Sequence, residues 1–195
     1  MRHQTSLDAD YFEQMFRDKP DPWGFETSAY EQAKYARTLK ALGDCRFKRA
    51  LEVGCANGVL TAQLAPSCDR LLAIDVSETA LGAARERCRD LPQVAFEQLA
   101  FPRQTPEETA FDLLLLSEVA YYWDDADLQR AADWIVGAVA PGGKVLLVHW
   151  TGETDYPQSG DDAVEKLYAM LADRIDLVRT DCQPEYRLDL WRMSA

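Results

Sequence analysis

Histidine is nearly missing from this 195-residue chain, which carries only His3 and His149. Its five cysteines are an odd number with no Cys-x-x-Cys spacing. A disulfide framework and a zinc site are both excluded by that count, and no metal is expected. Positive charge is also scarce: 21 Lys and Arg against 33 Asp and Glu leave a net charge of −12 at pH 7. Phosphate backbones are held by clustered Lys and Arg, so a nucleic-acid partner is excluded as well; the acid excess reads as solubility. No apolar run approaches the roughly 18 residues that cross a bilayer. The first ten residues lack the apolar core of a secretory signal. The expectation is a soluble, cytoplasmic protein with no membrane partner. There are no internal repeats and no low-complexity tracts.

What the chain does have is 47% hydrophobic residues, ordinary for a domain that folds unaided. Its organising stretch runs from Ala50 to Leu60, Ala-Leu-Glu-Val-Gly-Cys-Ala-Asn-Gly-Val-Leu. A short apolar run reaches Glu52, turns through Gly54 and Gly58, and gives way to a helical pattern. An α/β domain makes a ligand site in this way, with small residues letting backbone approach ligand. The next strand-like run, Leu71-Leu72-Ala73-Ile74, ends at Asp75, 21 positions after Gly54. There a nucleotide-binding domain places the acid that grips ribose hydroxyls. A dinucleotide site wants Gly-x-Gly-x-x-Gly, but aligned from Gly54 the chain offers Gly54, Ala56 and Val59, so one position of three fits.

Strand-like and helix-like segments alternate from Arg49, which argues for a parallel sheet. Strands are predicted at 49–53, 70–74, 93–97, 111–116 and 143–149, with helices near 58–66, 77–89, 124–139 and 161–173. Pro141-Gly142-Gly143 reads as a tight turn feeding the fifth strand, and Arg174 to Met193 as a closing antiparallel hairpin. Upstream, two helices (7–18 and Ser28 to about Leu42, the second opened by a Ser28-x-x-Glu31 capping box) flank the aromatic turn Trp23-Gly24-Phe25. The predicted organisation is an N-terminal helical cap (1–45) on a domain at 46–195. Its class is α/β and Rossmann-like: a mostly parallel seven-stranded sheet with a C-terminal antiparallel hairpin and helices on both faces.

The pattern the glycine stretch does fit is Glu-x-Gly-x-Ala-x-Gly, at Glu52, Gly54, Ala56 and Gly58. It resembles motif I of the class I S-adenosylmethionine-dependent methyltransferases. Phe111-Asp112-Leu113-Leu114-Leu115-Leu116-Ser117-Glu118-Val119 is similar to their motif IV. Asp-Pro-Trp-Gly-Phe-Glu-Thr-Ser (21–28), Tyr30-Glu31, Lys34-Tyr35, Ser117 to Tyr122 and His149-Trp150 resemble the nodulation protein S (NodS) group, over about residues 9–193. Members of that group N-methylate the deacetylated terminal amino sugar of a chitooligosaccharide. The resemblance implies S-adenosyl-L-methionine as cofactor, S-adenosyl-L-homocysteine as product, and a small-molecule acceptor, an amino sugar by preference. The alternatives are O- or N-methylation of an unrelated metabolite, or a non-catalytic cofactor-binding module.

The resemblance also implies residue roles. Glu52, Gly54, Cys55, Ala56 and Gly58 wrap the methionine end of the cofactor, and Asp75 takes the ribose hydroxyls. Val76 and Leu99 sandwich the adenine. Ser117, Tyr30 and Lys34 complete the cofactor set, with Lys34 meeting the methionyl carboxylate. Ala100 stands where the family usually carries an acid for the adenine amino group. Backbone groups of Leu99 and Ala100 are left to meet that edge, at an expected cost of about 1–3 kcal/mol. On the acceptor side Glu118 holds the ammonium or takes its proton, His149 orients a hydroxyl or accepts a proton, and Tyr121 and Tyr122 offer aromatic faces. Positioning alone supplies roughly 7–11 kcal/mol of such a barrier, against about 3–5 kcal/mol from a general base. The missing catalytic dyad is therefore no argument against an enzyme.

Overall fold

The computed structural model describes residues 2–194. It divides into two compact units: Asp8–Leu99, and the N-terminal residues to Leu7 together with Ala100 onward.

In the Asp8–Leu99 unit, α1 (Ala9–Asp18) and α2 (Ala29–Leu42) precede β1 (Ala50–Val53), α3 (Val59–Leu64), β2 (Leu71–Asp75), α4 (Glu78–Arg87) and β3 (Val94–Gln98). The strand order is β3-β2-β1 and every pairing is parallel. All residues of β1 and β2 are buried, as expected of parallel strands covered on both faces, which read as continuous apolar runs. The register sets Glu52 beside Ala73 and Asp75 beside Gln98, so both acids belong to the strand array. Ser28 and Ser77 cap α2 and α4, each accepting from the backbone N–H three residues on.

The other unit holds β4 (Phe111–Ser117), a 3-10 turn at 120–122, α5 (Asp125–Ala138), β5 (Val139–Trp150), α6 (Gly160–Leu171), β6 (Ile175–Cys182) and β7 (Tyr186–Met193). Its order is β4-β5-β7-β6, with β4 and β5 parallel and the last two strands an antiparallel hairpin, as expected. Leu113–Leu116 and Val145–Val148 are fully buried and form its centre. The predicted tight turn at Pro141-Gly142-Gly143 lies inside β5. Pairing steps from Phe111↔Val139 to Leu113↔Lys144, so residues 140–143 bulge opposite a single residue of β4, with Gly142 at φ +75°. The fold class is α/β with seven strands, mostly parallel, ending in the antiparallel hairpin. Among the described residues no helix is long and apolar enough to cross a membrane, and no group of three or more His, Cys, Asp or Glu is placed to hold a metal.

One charged contact fixes α1 on the start of α4. The Glu13 carboxylate accepts from the Ser77 hydroxyl at 2.7 Å, the Thr79 hydroxyl at 2.7 Å and the Thr79 N–H at 3.1 Å. These donors, Ser77 first, lower its pKa from 4.5 to about 2. With the folded pKa below the unfolded one, this contribution to stability is complete above about pH 4.5 and disappears as pH falls towards 2. Glu13→Gln is expected to lower the urea midpoint at neutral pH, the gap to the parent closing through that acid window. A gap unchanged near pH 2 contradicts the assignment.

Candidate cofactor and acceptor sites

The chain leaves β1 through a turn with three positive φ angles: Gly54 at +78°, Ala56 at +48° and Gly58 at +77°. The N–H groups of Gly54 and Cys55 donate to the Ile74 carbonyl at 2.8 and 3.1 Å, pinning the turn to β2. A Cβ at Gly58 would lie 2.9 Å from both Cα and Cβ of Ala84, so its missing side chain lets α4 approach the turn closely. Cys55 packs with Ala73 and Leu81. Burial pushes its thiol pKa well above the ordinary value, so the side chain is an inert core residue.

Asp75 is the hub of this unit. Its carboxylate is buried and accepts from the Ala56 N–H and the Ser77 N–H, both at 2.9 Å. Burial raises its pKa and the backbone donors oppose that shift. A carboxylate has about four acceptor positions, so these backbone bonds leave acceptor capacity on Asp75 open. Beneath the turn, Glu52 is only 1% exposed. Burial raises its pKa to about 7, against the neighbouring Thr61 hydroxyl. Among the described residues no hydrogen-bond partner reaches the buried Glu52 Oε2, Thr61 Oγ1 and Asn57 Oδ1.

Val76 and Leu99 are half-buried and follow the paired ends of β2 and β3. The Leu99 N–H donates to the Asp75 carbonyl at 3.0 Å, and the Ala100 N–H to Gln104 Oε1 at 2.9 Å. Lys34 is 3% exposed, its Nζ 3.0 Å from Glu31 and 5.2 Å from the Tyr30 ring centroid.

Residues outside the motifs complete the turn. Arg87 Nε donates to the Asn57 carbonyl at 2.8 Å, and its guanidinium pairs with Glu26. Gln32 donates to the Phe25 carbonyl at 2.8 Å and Gln63 to Gln32 at 3.3 Å. The Asp-Pro-Trp-Gly-Phe-Glu segment is thus tied by two relays to the helices that follow the turn.

In the other unit, Glu118 directly follows β4 at φ +57°, a conformation costing a side-chain-bearing residue about 1–2 kcal/mol. Three hydrogen bonds hold it there. Its N–H donates to the Val148 carbonyl at 2.8 Å. Its Oε2 accepts from the Tyr121 hydroxyl and from the Trp150 N–H, both at 2.8 Å. Ser117, the last residue of β4, is half-buried beside it. His149 is fully buried, and its Nε2 accepts from the Ala120 N–H at 3.0 Å. That bond puts the ring proton on Nδ1 and commits the lone pair which a proton-accepting role requires. Tyr121 is buried; it stacks on Tyr156 (18°, 5.4 Å) and meets Tyr122 and His149 edge-on. Burial and the Glu118 charge hold its phenol well above the ordinary value, so it is a hydrogen-bond donor. Tyr156 has no motif around it; only its nearness in space places it in the cluster.

The seven mostly parallel strands ending in an antiparallel hairpin are those of the class I methyltransferase fold. Residues 9–153 match the nodulation protein S (NodS) family, and the chain belongs to it. It is similar to nodulation protein S of Sinorhizobium fredii (36% identity over 129 residues, 65% of this chain and 59% of the relative). It is likewise similar to that of Rhizobium tropici (34% identity, 65% and 54%). The matched region thus spans little more than half the length of these curated relatives. Among solved structures it is similar to the N-methyltransferase NodS of Bradyrhizobium japonicum WM9 in complex with S-adenosyl-L-homocysteine, with a TM-score of 0.81 and 25% identity over 96% of this chain and 98% of that one. S-adenosylmethionine is the cofactor that the fold and these residues fit, through the open acceptor capacity of Asp75 and the unpartnered oxygens beneath the turn.

Gly58→Ala combines a left-handed φ with a clash against α4. It is expected to cost about 2–5 kcal/mol, the sum of the conformational and overpacking costs. Urea unfolding checks this; a loss under about 0.5 kcal/mol, the usual effect of a surface substitution, contradicts the packing described.

Proposed function

We propose that this chain is an S-adenosylmethionine-dependent methyltransferase which N-methylates the free amine of a small molecule, an amino sugar being the favoured acceptor. The observation that carries the reading is Glu118, a carboxylate held in a strained backbone conformation by donors of its own fold. Strain of this kind persists where the surroundings over-determine it, and it concentrates at ligand sites.

Bound S-adenosylmethionine supplies an electrophilic methyl group; the protein's share is binding and orientation. Asp75 receives the ribose hydroxyls, and Glu52 offers a buried carboxyl oxygen beneath the turn as an acceptor for the ammonium. Glu118 receives the acceptor ammonium and keeps the nitrogen in place when its proton leaves to solvent. Tyr121, protonated throughout, fixes the carboxylate. His149 holds the 3-10 turn that carries Tyr121, so its role is positioning, not proton transfer. Little base catalysis is needed: with an α-amino pKa of about 7.7–8.0 as guide, around a tenth of the amine is unprotonated at pH 7.

Glu118→Gln keeps shape and removes charge. It is expected to lower kcat/KM for an amine about ten- to a hundredfold, from the loss of a charge-assisted hydrogen bond, while calorimetric affinity for S-adenosylhomocysteine stays within about threefold, well under the tenfold that 1.4 kcal/mol represents. The parent rate is expected to rise between about pH 6.5 and 8.5 as the amine deprotonates. Full activity in Glu118→Gln contradicts the acceptor assignment; no affinity for S-adenosylhomocysteine in the parent contradicts the class.

A further inference from the structure

Strand β6 is the outer strand of its unit. β7 pairs along one side of it and, among the described residues, no strand lies on the other. An edge of this kind presents a row of backbone N–H and C=O groups that another strand can take up. Most of β6 is exposed, including Leu177 at 52% and Val178 at 51%. Edges are ordinarily defended by charges and by bulges, and β6 carries both. Their arrangement is what sets this edge apart.

From its centre outwards, the segment Arg174-Ile175-Asp176-Leu177-Val178-Arg179-Thr180-Asp181 mirrors itself with charge reversed. Laid antiparallel against a second copy, it sets Asp176 opposite Arg179 and Arg174 opposite Asp181, each twice by symmetry, with Leu177 and Val178 in the middle. Residues directly opposite must share a face of the sheet. In a regular strand residues three apart, such as Asp176 and Arg179, point to opposite faces. The bulge changes that. Pairing with β7 steps from Leu177↔Trp191 to Arg179↔Leu190, so Val178 is the extra residue. Asp176, Arg179 and Asp181 stand opposite Arg192, Leu190 and Leu188, alternate residues of β7. Those three therefore share one face, and Leu177, opposite Trp191, takes the other. Arg174 lies two residues before Asp176 and continues the hairpin, its carbonyl accepting from the Ser194 N–H at 2.8 Å. All four charges of the segment thus fall on one face, in the register that a two-fold axis through the bulge requires.

Within one copy, Asp176 meets Arg192 at 3.3 Å, both more than half exposed, and Arg179 meets Asp181 at 2.9 Å. Exposed pairs of this kind contribute little, so sharing the same charges across an interface gives up little. A foreign strand meets the bulge and the charges as obstacles, whereas a copy of the same strand meets its own complement. We propose that β6 is a homodimerisation edge, on which a second copy of this chain pairs antiparallel with Leu177 and Val178 at the two-fold axis. The β4-β5-β7-β6 array then continues from one copy into the other.

Sedimentation equilibrium tests this with the full chain. Between about 1 and 100 μM, the weak end of the affinities that interfaces reach, the parent is expected to pass from monomer to dimer. Asp176→Arg and Arg179→Asp each set like charges face to face at both symmetry-related contacts, and each alone is expected to weaken the dimer at least about tenfold. Val178→Lys, which leaves every ion pair in place and puts two ammonium groups at the axis, is expected to do the same. Mixed in equal amounts, the Asp176→Arg and Arg179→Asp proteins present Arg opposite Asp at both contacts, and a dimer with one of each is expected to form. The double variant Asp176→Arg/Arg179→Asp is expected to dimerise like the parent. Urea midpoints near the parent's report that each variant is folded. A parent that stays monomeric over the whole range overturns the proposal, as does a dimer that Val178→Lys and both single charge variants leave unchanged. Failure of both the mixture and the double variant to dimerise overturns it too.

Discussion

The Asp75 carboxylate is the constraint on which the cofactor-binding unit depends. A buried carboxylate is tolerated only where donors surround it, and here the donors are backbone N–H groups from two turns. One oxygen holds Ala56, in the left-handed turn after β1, and the other holds Ser77, the cap of α4. Ser77 in turn donates to Glu13. The glycine-rich turn, the start of α4 and helix α1 are therefore referred to one side chain. Removing the carboxylate costs more than a ligand contact, because two backbone donors lose their partner as well.

Glu118 plays the corresponding part in the other unit, with a different energy balance. Its left-handed backbone is unfavourable, and hydrogen bonds to Val148, Tyr121 and Trp150 offset it. Hydrogen bonds to a charged group contribute roughly 1.5–3 kcal/mol each, which outweighs a conformational cost of about 1–2 kcal/mol. His149 enters the same arrangement indirectly, through Ala120 at the head of the turn that carries Tyr121. Catalysis by positioning asks for little else. No base stronger than solvent is needed when the nucleophile is an amine near its own pKa.

What the sequence made legible was the local part. Glu52, Gly54 and Asp75 announce a strand-turn-helix and the acid after the next strand, because those relations are set by spacing within a few tens of residues. The buried runs of β1, β2 and β4 and the C-terminal hairpin were legible on the same ground. The Glu31–Lys34 pair also had a local signal, an i,i+3 spacing of opposite charges. Contacts distant in sequence left no such trace. Glu13 with Ser77 and Thr79 joins residues 64 and 66 apart, Glu26 with Arg87 61 apart, and Tyr156 meets Tyr121 from the segment after β5. The bulge at 140–143 was read as a turn because Pro-Gly-Gly breaks a strand in most settings; here one residue of β4 faces four of β5 and the pairing resumes.

The most direct test of the acceptor chemistry is to locate the transferred methyl. The full chain is incubated with methyl-labelled S-adenosylmethionine and, separately, D-glucosamine and N-acetyl-D-glucosamine, and the position of the label is read by mass spectrometry and NMR. The account predicts label on the nitrogen of the free amine and none on the acetylated sugar, whose amide nitrogen offers no available lone pair. Label on oxygen, or equal transfer to both sugars, would contradict it.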